Sequence, residues 1–235
     1  MPGKTPLVII LLIVMLAPGF ALGSREQPQP PLVGTIPEHL LPAADFTLSD
    51  QLGEPFHLAS CRGRVVVLTF IYTHCEDECP FVTLKLKRAR ALLGSDAGRA
   101  VFVAVTTDPR RDTRGVIERY SREAGMLDGW RFLTGSLDEV KSVWSSYGVG
   151  VRIRGEEASE GGKGAQAEGE SSAQGLTSAD RGMAGKIVRE FGGGYDVSHS
   201  IPILIIDPSG NVRALLDARS YPKDIAQDVR ALVQR

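Results

Sequence analysis

A continuous apolar run from Val65 to Ile71 sets the strongest limit on how this chain can fold. A second run of the same kind extends from Ala100 to Thr106. Apolar runs of this length that are rich in β-branched residues are typical of strands buried on both faces of a sheet. The stretch between them has a helical pattern, with Pro80 suited to the first turn and Gly94 to a carboxyl-terminal cap. The sequence therefore predicts a core of alternating strands and helices.

Further elements are predicted on both sides of this core. Alternating apolar residues around the turn from Asp50 to Glu54 predict an opening β-hairpin. After the second run we expect a helix at about 113–124, a short strand at 130–133, a helix begun by the capping pair Ser136 and Glu139, a hairpin at 203–216 and a last helix after Ser220. This order predicts an α/β, thioredoxin-like central sheet with helices on both faces. The opening hairpin also fits the peroxiredoxin-like variant of that fold.

The first 23 residues predict export. Lys4 precedes an apolar run from Pro6 to Leu16, and the small residues Ala21 and Gly23 fit a cleavage site after Gly23. A bilayer span needs about 20 apolar residues, so the shorter run favours a cleaved signal peptide, while a retained membrane anchor stays open. In both cases we expect an exported protein, in the bacterial periplasm or at the periplasmic face of the inner membrane.

Two other stretches have compositions that do not form a packed core. Residues 24–43 are rich in Pro and Gln and predict a flexible tether between the membrane side and the domain. Residues from about 155 to 185 are mostly Gly, Ser, Ala and Glu, and predict an exposed, flexible insertion. One domain over residues 44–235 is therefore expected.

The overall charge narrows the possible partners. The formal net charge is -1, so no basic field is available for nucleic acid. No predicted helix pairs a basic face with an aromatic face, as helices that lie on lipid do. We therefore expect no nucleic-acid partner, and membrane proximity only through the amino-terminal segment.

The chain has three cysteines, Cys61, Cys75 and Cys79, and export would place them where thiols tend to oxidise. Cys75 and Cys79 directly follow the first central strand. They are four positions apart, which on the first turn of a helix points both thiols the same way. Ligands commonly bind at such strand-to-helix junctions, so both thiols can meet one ion. Cys61 lies before the strand and is expected to be a small buried thiol.

The choice of ion depends on a third ligand. Structural zinc takes four ligands, whereas soft thiolates at lower coordination number suit cuprous copper. The histidines are His39, His57, His74 and His199. His39 lies in the tether, His57 in the opening hairpin, and His74 would point away from its neighbour Cys75. His199 is the best candidate, because it precedes a strand expected to run beside the first central strand.

Simpler interpretations stay open at this point. The cysteine pair could be a redox disulfide, and His199 could be a hydrogen-bonded surface histidine. The acids Glu76, Asp77 and Glu78 oppose thiolate formation and favour a nearby cation. They could also merely complement the dipole of the helix that follows.

Several motifs resemble the Sco/SenC family in order and spacing. They are Phe70-Ile71-Tyr72-Thr73-His74-Cys75 through Cys79-Pro80, Asp108-Pro109-Arg110-Arg111-Asp112-Thr113, Tyr195-Asp196-Val197-Ser198-His199-Ser200 and Asp207-Pro208-Ser209-Gly210. The resemblance extends from about residue 43 to the end, apart from the predicted insertion.

The resemblance implies a thioredoxin-like protein that binds copper, as Cu(I), Cu(II) or both, and helps assemble the copper centre of cytochrome c oxidase. Its partner would be the copper-centre subunit of that oxidase or another copper protein. Carried over by position, Cys75 and Cys79 would be thiol ligands and a redox pair, and His199 the imidazole ligand. Asp108 matches an acidic position that supports the metal site, although an Asp before Pro109 also suits a turn.

Two departures and two competing functions accompany this resemblance. Glu76 stands where the family usually has Pro, and the predicted insertion is longer than usual. A thiol-disulfide oxidoreductase would need Cys75 and Cys79 but not His199, and would reduce partner disulfides. A peroxidase is the weaker alternative, because those enzymes favour Thr three positions before the reactive cysteine, whereas Thr73 is two before it. The leading interpretation involves no small-molecule substrate.

Overall fold

The computed structural model describes residues 31–154 and 172–233. The strands are β1 (Leu41–Pro42), β2 (Thr47–Ser49), β3 (Pro55–His57), β4 (Val65–Ile71), β5 (Ala100–Thr106), β6 (Arg131–Leu133), β7 (Val151–Arg154), β8 (Asp196–His199), β9 (Ile203–Ile206) and β10 (Asn211–Leu216). The helices are α1 (Glu78–Leu93), α2 (Arg114–Glu123), α3 (Leu137–Ser146), α4 (Ser178–Phe191) and α5 (Pro222–Val233). The predicted signal segment, the start of the tether and residues 155–171 lie outside the described ranges.

The central sheet has six strands in the order β1-β10-β9-β4-β5-β6. Strands β4, β5 and β6 are parallel, and β9 runs antiparallel to β4. Helices α1, α2, α4 and α5 cover one face, while α3 and the β2–β3 hairpin cover the other. The predicted thioredoxin-like α/β layout with an opening hairpin is confirmed.

The register of the central strands places the candidate residues at one end of the sheet. Ile71 pairs with Thr106, so the turns that follow β4 and β5 leave the sheet side by side. Thr69 pairs with Ile203, the first residue of β9. The segment before β9, which contains His199, therefore reaches the same end as Cys75.

The predicted tether is shorter than expected, because its second half is docked on the domain. The backbone N–H groups of Val33 and Gly34 donate hydrogen bonds of 2.6 and 3.0 Å to the buried carboxylate of Asp228 in α5. Thr35 and Leu215 exchange two backbone hydrogen bonds of 2.9 Å. Strand β1 then pairs with β10 at the edge of the sheet. The sequence did not predict this docking. The Pro-rich composition indicates a flexible tether, and the residues that hold the segment lie far away along the chain.

The predicted insertion is also too long at its carboxyl-terminal end. Helix α4 occupies residues that were expected to be flexible, and it begins with a capping box between Thr177 and Asp180. Its residues Ala184, Ile187 and Phe191 are buried. Ala184 packs in a buried cluster with Leu84 of α1. The small residues at the start of α4 made the segment resemble low-complexity sequence. No helix in residues 31–154 and 172–233 is long and apolar enough to cross a bilayer.

Candidate metal centre

Cys75 and Cys79 lie at the junction between β4 and α1. The helix begins at Glu78, so Cys75 belongs to the preceding turn and only Cys79 lies in the first helical turn. The prediction that both cysteines share that turn is therefore wrong. Their side chains nevertheless lie close enough for the Cys79 thiol to interact with the sulfur of Cys75. Cys79 is fully buried and Cys75 is 6% exposed.

The two thiols have different proton affinities. The pKa of Cys75 is lowered by the hydrogen bond from the Cys79 thiol, with further help from backbone N–H groups of Cys79 and Asp77. The pKa of Cys79 is raised by burial and by the neighbouring Cys75. When the pair loses its first proton, the negative charge therefore develops on Cys75, the more accessible sulfur.

His199 ends strand β8, which pairs with β7 through the register Val151 to His199. Its Nε2 atom lies 3.7 Å from Sγ of Cys79, and its Nδ1 atom lies 3.0 Å from the carbonyl oxygen of Ser200. A carbonyl oxygen only accepts hydrogen bonds, so Nδ1 carries the proton and the Nε2 lone pair faces the sulfur. Burial lowers the pKa of His199 to about 4, which keeps the imidazole neutral near pH 7.

Tyr72 joins the cysteine turn to the histidine strand, and sequence reasoning did not identify it. Its hydroxyl donates a hydrogen bond of 2.9 Å to the carboxylate of Asp196 and accepts one of 3.3 Å from the backbone N–H of Val197. Its ring contacts the imidazole of His199 edge to face, with centroids 5.5 Å apart. Burial raises the pKa of Tyr72, so the phenol remains a donor.

Asp108 was predicted to support the site, and its contacts lead to the histidine strand. The buried carboxylate accepts a hydrogen bond of 2.8 Å from the hydroxyl of Tyr195 and forms an ion pair with Arg111. The Arg111 guanidinium stacks 3.7 Å from the Tyr195 ring centroid and donates a 2.9 Å hydrogen bond to the carbonyl of Gly193. Asp108 and Arg111 thus hold the segment that enters β8.

Asp112 fixes the turn before Cys75, and sequence reasoning quoted it only as part of a motif. This fully buried carboxylate accepts hydrogen bonds of 2.5 Å from the Thr73 hydroxyl and 2.6 Å from the Thr106 hydroxyl. The ring of His74 also turns toward it, with Nδ1 3.7 Å from Oδ1 of Asp112. The sequence places Asp112 shortly after β5. Because the ends of β5 and β4 lie side by side, this position could have indicated a contact with the turn before Cys75.

The spacing of the candidate ligands agrees in part with the geometry of a metal site. Metal–thiolate and metal–imidazole bonds of about 2.3 and 2.0 Å, about 120° apart, place sulfur and nitrogen about 3.7 Å apart. The separation of Cys79 and His199 equals this value. Across the described ranges, however, no three His, Cys, Asp or Glu side chains are already close enough to hold an ion. Cys61 is buried, as predicted, and packs with the core on the other face of the sheet.

Comparisons with known proteins place the chain among its relatives. A SCO2-like protein of Rickettsia typhi is 26% identical over 146 residues, which is 61% of this chain and 71% of that protein. The mitochondrial SCO2 homolog of Bos taurus is 36% identical over 108 residues, 45% of this chain and 40% of that protein.

Two solved structures have the same fold. Bradyrhizobium japonicum ScoI, solved with copper bound, matches with a TM-score of 0.60 and 21% identity over 81% of this chain and 98% of that one. BsSco, described as having a disulfide switch and as a member of the Sco family of cytochrome c oxidase assembly proteins, matches with a TM-score of 0.56 and 19% identity over 85% of this chain and 98% of that one. The SCO1/SenC family model matches residues 37–172, more than half of the sequence. The chain belongs to the SCO1/SenC family.

Proposed function

We propose that this protein is a copper-binding assembly factor for the copper centre of cytochrome c oxidase, and that Cys75, Cys79 and His199 hold the copper it delivers. The observation that carries the proposal is the 3.7 Å approach of the His199 Nε2 lone pair to Sγ of Cys79, beside the hydrogen-bonded thiol of Cys75. The copper bound to B. japonicum ScoI and the assembly role stated for the family of BsSco support it. The family match covers both cysteines and ends before His199.

The chemistry of these donors favours copper over zinc. Two soft thiolates and one imidazole suit cuprous copper at low coordination number, whereas structural zinc takes four ligands. His199 donates its Nδ1–H to the Ser200 carbonyl, an arrangement that orients metal-binding histidines in general. Because no three His, Cys, Asp or Glu side chains in the described ranges are already close enough to hold an ion, binding would require the ligand side chains to rearrange. Asp108 would act indirectly, by holding the segment before β8 in place.

A thiol-disulfide oxidoreductase is the second candidate, and the proton distribution of the cysteine pair favours it. A thiolate on Cys75 would attack a partner disulfide and form a mixed disulfide, releasing one partner thiolate. Cys79 would then attack Cys75, so that the pair is oxidised to a disulfide and the second partner thiolate leaves. The switch described for BsSco supports this chemistry.

The proposed location follows from the amino-terminal sequence. Residues 1–23 would direct export, which places the domain in the periplasm or at the periplasmic face of the inner membrane. The partner there would be the copper-centre subunit of the oxidase or another copper protein.

An anaerobic titration with cuprous ion against a competing chelator tests the proposal. We expect the reduced protein to bind one equivalent, and His199→Ala to weaken binding by at least about 100-fold, because losing a ligand should cost no less than the roughly 10- to 100-fold of losing an outer contact. His57→Ala is the matched control, since His57 lies in the β2–β3 hairpin and pairs with Asp45. Binding that does not change in His199→Ala would favour the oxidoreductase.

A further inference from the structure

An apolar strip runs along the β1 edge of the central sheet. Its members Val33, Ile36, Leu40 and Leu41 are between 49% and 64% exposed, and Leu215 of β10 lies beside them. Together with Leu215 they make up five of the eight large hydrophobic side chains that are exposed in the described ranges. Single exposed apolar residues are normal, but a concentration of them along one edge marks an interaction surface.

The strip is held rigidly to the domain. Asp228 accepts the backbone N–H groups of Val33 and Gly34, and Thr35 pairs with Leu215. Further along the chain, Leu41 pairs with Val212 in the β1–β10 ladder. These contacts fix the backbone at residues 33–35 and 41–42 to the sheet and to α5, so the exposed apolar side chains project from an ordered backbone.

The chain that leads into the strip contains the apolar run from Pro6 to Leu16. The residues from Ala17 to Pro30 connect the two and span at most about 50 Å when fully extended. A bilayer that holds the apolar run is thus within reach of the strip. At the start of α5, the helix whose Asp228 holds Val33, Tyr221 is 41% exposed and the Lys223 ammonium lies 5.4 Å from its ring centroid. Aromatic and basic side chains are common at the membrane surface.

We propose that the strip rests on the surface of a lipid bilayer, so that the domain lies on the β1 edge of its sheet. The strip follows the strand direction, from Val33 near Leu215 to Leu41 near Val212, and the strands would therefore run parallel to the membrane. The cysteines follow the end of β4, three strand spacings or about 14 Å from β1. The site would then open sideways, toward a partner on the same membrane. This inference rests on the apolar run from Pro6 to Leu16 being retained as a membrane anchor, and it does not depend on bound copper.

Fluorescence of an added tryptophan tests the contact. The full chain with Leu40→Trp is mixed with phosphatidylcholine–phosphatidylglycerol vesicles, with or without brominated acyl chains. Leu52→Trp is the matched control, because Leu52 is 46% exposed and lies in the hairpin turn whose Asp50 pairs with Arg131 of β6, at the opposite edge of the sheet. The native Trp130 and Trp144 are buried and provide a constant background.

We expect the protein to float with the vesicles, and the Leu40→Trp emission to shift to the blue and lose most of its intensity on brominated lipid. The Leu52→Trp protein should be quenched no more than the wild type, and adding Ile36→Glu to Leu40→Trp should abolish the quenching. Equal behaviour of the two tryptophans, or protein that does not float, would overturn the proposal. A blue shift without vesicles that grows with protein concentration would assign the strip to a second copy of the chain and would also overturn it.

Discussion

The Tyr72 hydroxyl donates a hydrogen bond of 2.9 Å to the carboxylate of Asp196. This contact joins the end of the central strand that leads to the cysteines with the first residue of the strand that ends in His199. Because Tyr72 also accepts the backbone N–H of Val197, it binds the histidine strand at two adjacent residues. The distance between the thiols and the imidazole is therefore controlled by a residue that is not itself a candidate ligand.

Replacing Tyr72 by Phe should loosen this connection. We expect cuprous affinity to fall about tenfold, in the range of outer contacts of metal sites. The free energy of unfolding should fall by about 1–2 kcal/mol, since a buried N–H loses its acceptor. Tyr147→Phe is the control, because its hydroxyl donates to the Ala44 carbonyl at 2.7 Å, away from the site. Equal copper affinities in the two variants would contradict the positioning role.

Replacing Asp108 by Asn should affect copper through the segment that enters β8. Arg111 loses its ion-pair partner, and Tyr195 loses a charged acceptor. We expect about a tenfold loss of cuprous affinity, less than in His199→Ala. Asp50→Asn is the matched control, because it removes a buried carboxylate paired with Arg131 at 2.7 Å in the hairpin. If copper affinity falls equally in the control, Asp108 has only a general structural role.

The acid stability of the copper-free protein should depend on His199. Burial lowers its pKa to about 4, whereas a histidine in an unfolded chain titrates near 6.5. Between these values the unfolded chain binds a proton that the folded chain does not, so stability is full above about pH 6.5 and falls as the pH drops toward 4.

Urea unfolding at a series of pH values measures this dependence. From about pH 7 to about pH 4, the free energy of unfolding of the wild type should fall by about 1–2 kcal/mol more than that of His199→Ala. This figure is reduced for the partial exposure of the ring. His57→Ala, which removes an exposed histidine, should follow the wild type. Parallel curves for all three proteins would show that His199 is not held neutral by burial.

The reduced protein should be alkylated first at Cys75. Its pKa is lowered and its side chain is slightly exposed, while Cys79 is fully buried with a raised pKa. Brief treatment with iodoacetamide followed by peptide mass spectrometry gives the order of modification. In Cys79→Ala the rate at Cys75 should fall, because the side-chain donor that stabilises the Cys75 thiolate is lost. Faster modification of Cys79 than of Cys75 would reverse the assigned proton distribution.

Local sequence patterns predicted the parts of the fold that depend on local physics. The runs of β4 and β5, the β2–β3 hairpin and the capping box at Ser136 follow from periodicity and side-chain chemistry, and all are present. Helix α4 was missed because its small residues carry little apolar signal without the α1 surface they pack against. The docking of Val33 on Asp228 was missed because the partners are far apart in sequence.

In the candidate site, too, local patterns predicted some residues, while others come together only in the folded chain. The spacing of Cys75 and Cys79 identified the pair, the strand expected after His199 favoured that histidine as the third ligand, and the resemblance added Asp108. Tyr72, Arg111 and Asp112 act across turns that meet only in the folded sheet. Their roles could be found only once the pairing of β4 with β5 and β9 was known.

X-ray absorption at the copper edge of the cuprous-loaded protein tests the central claim most directly. We expect two sulfur neighbours and one imidazole nitrogen, with the imidazole scattering lost in His199→Ala and retained in His57→Ala. A spectrum with only sulfur neighbours, or one that is unchanged in His199→Ala, would contradict a site made of Cys75, Cys79 and His199.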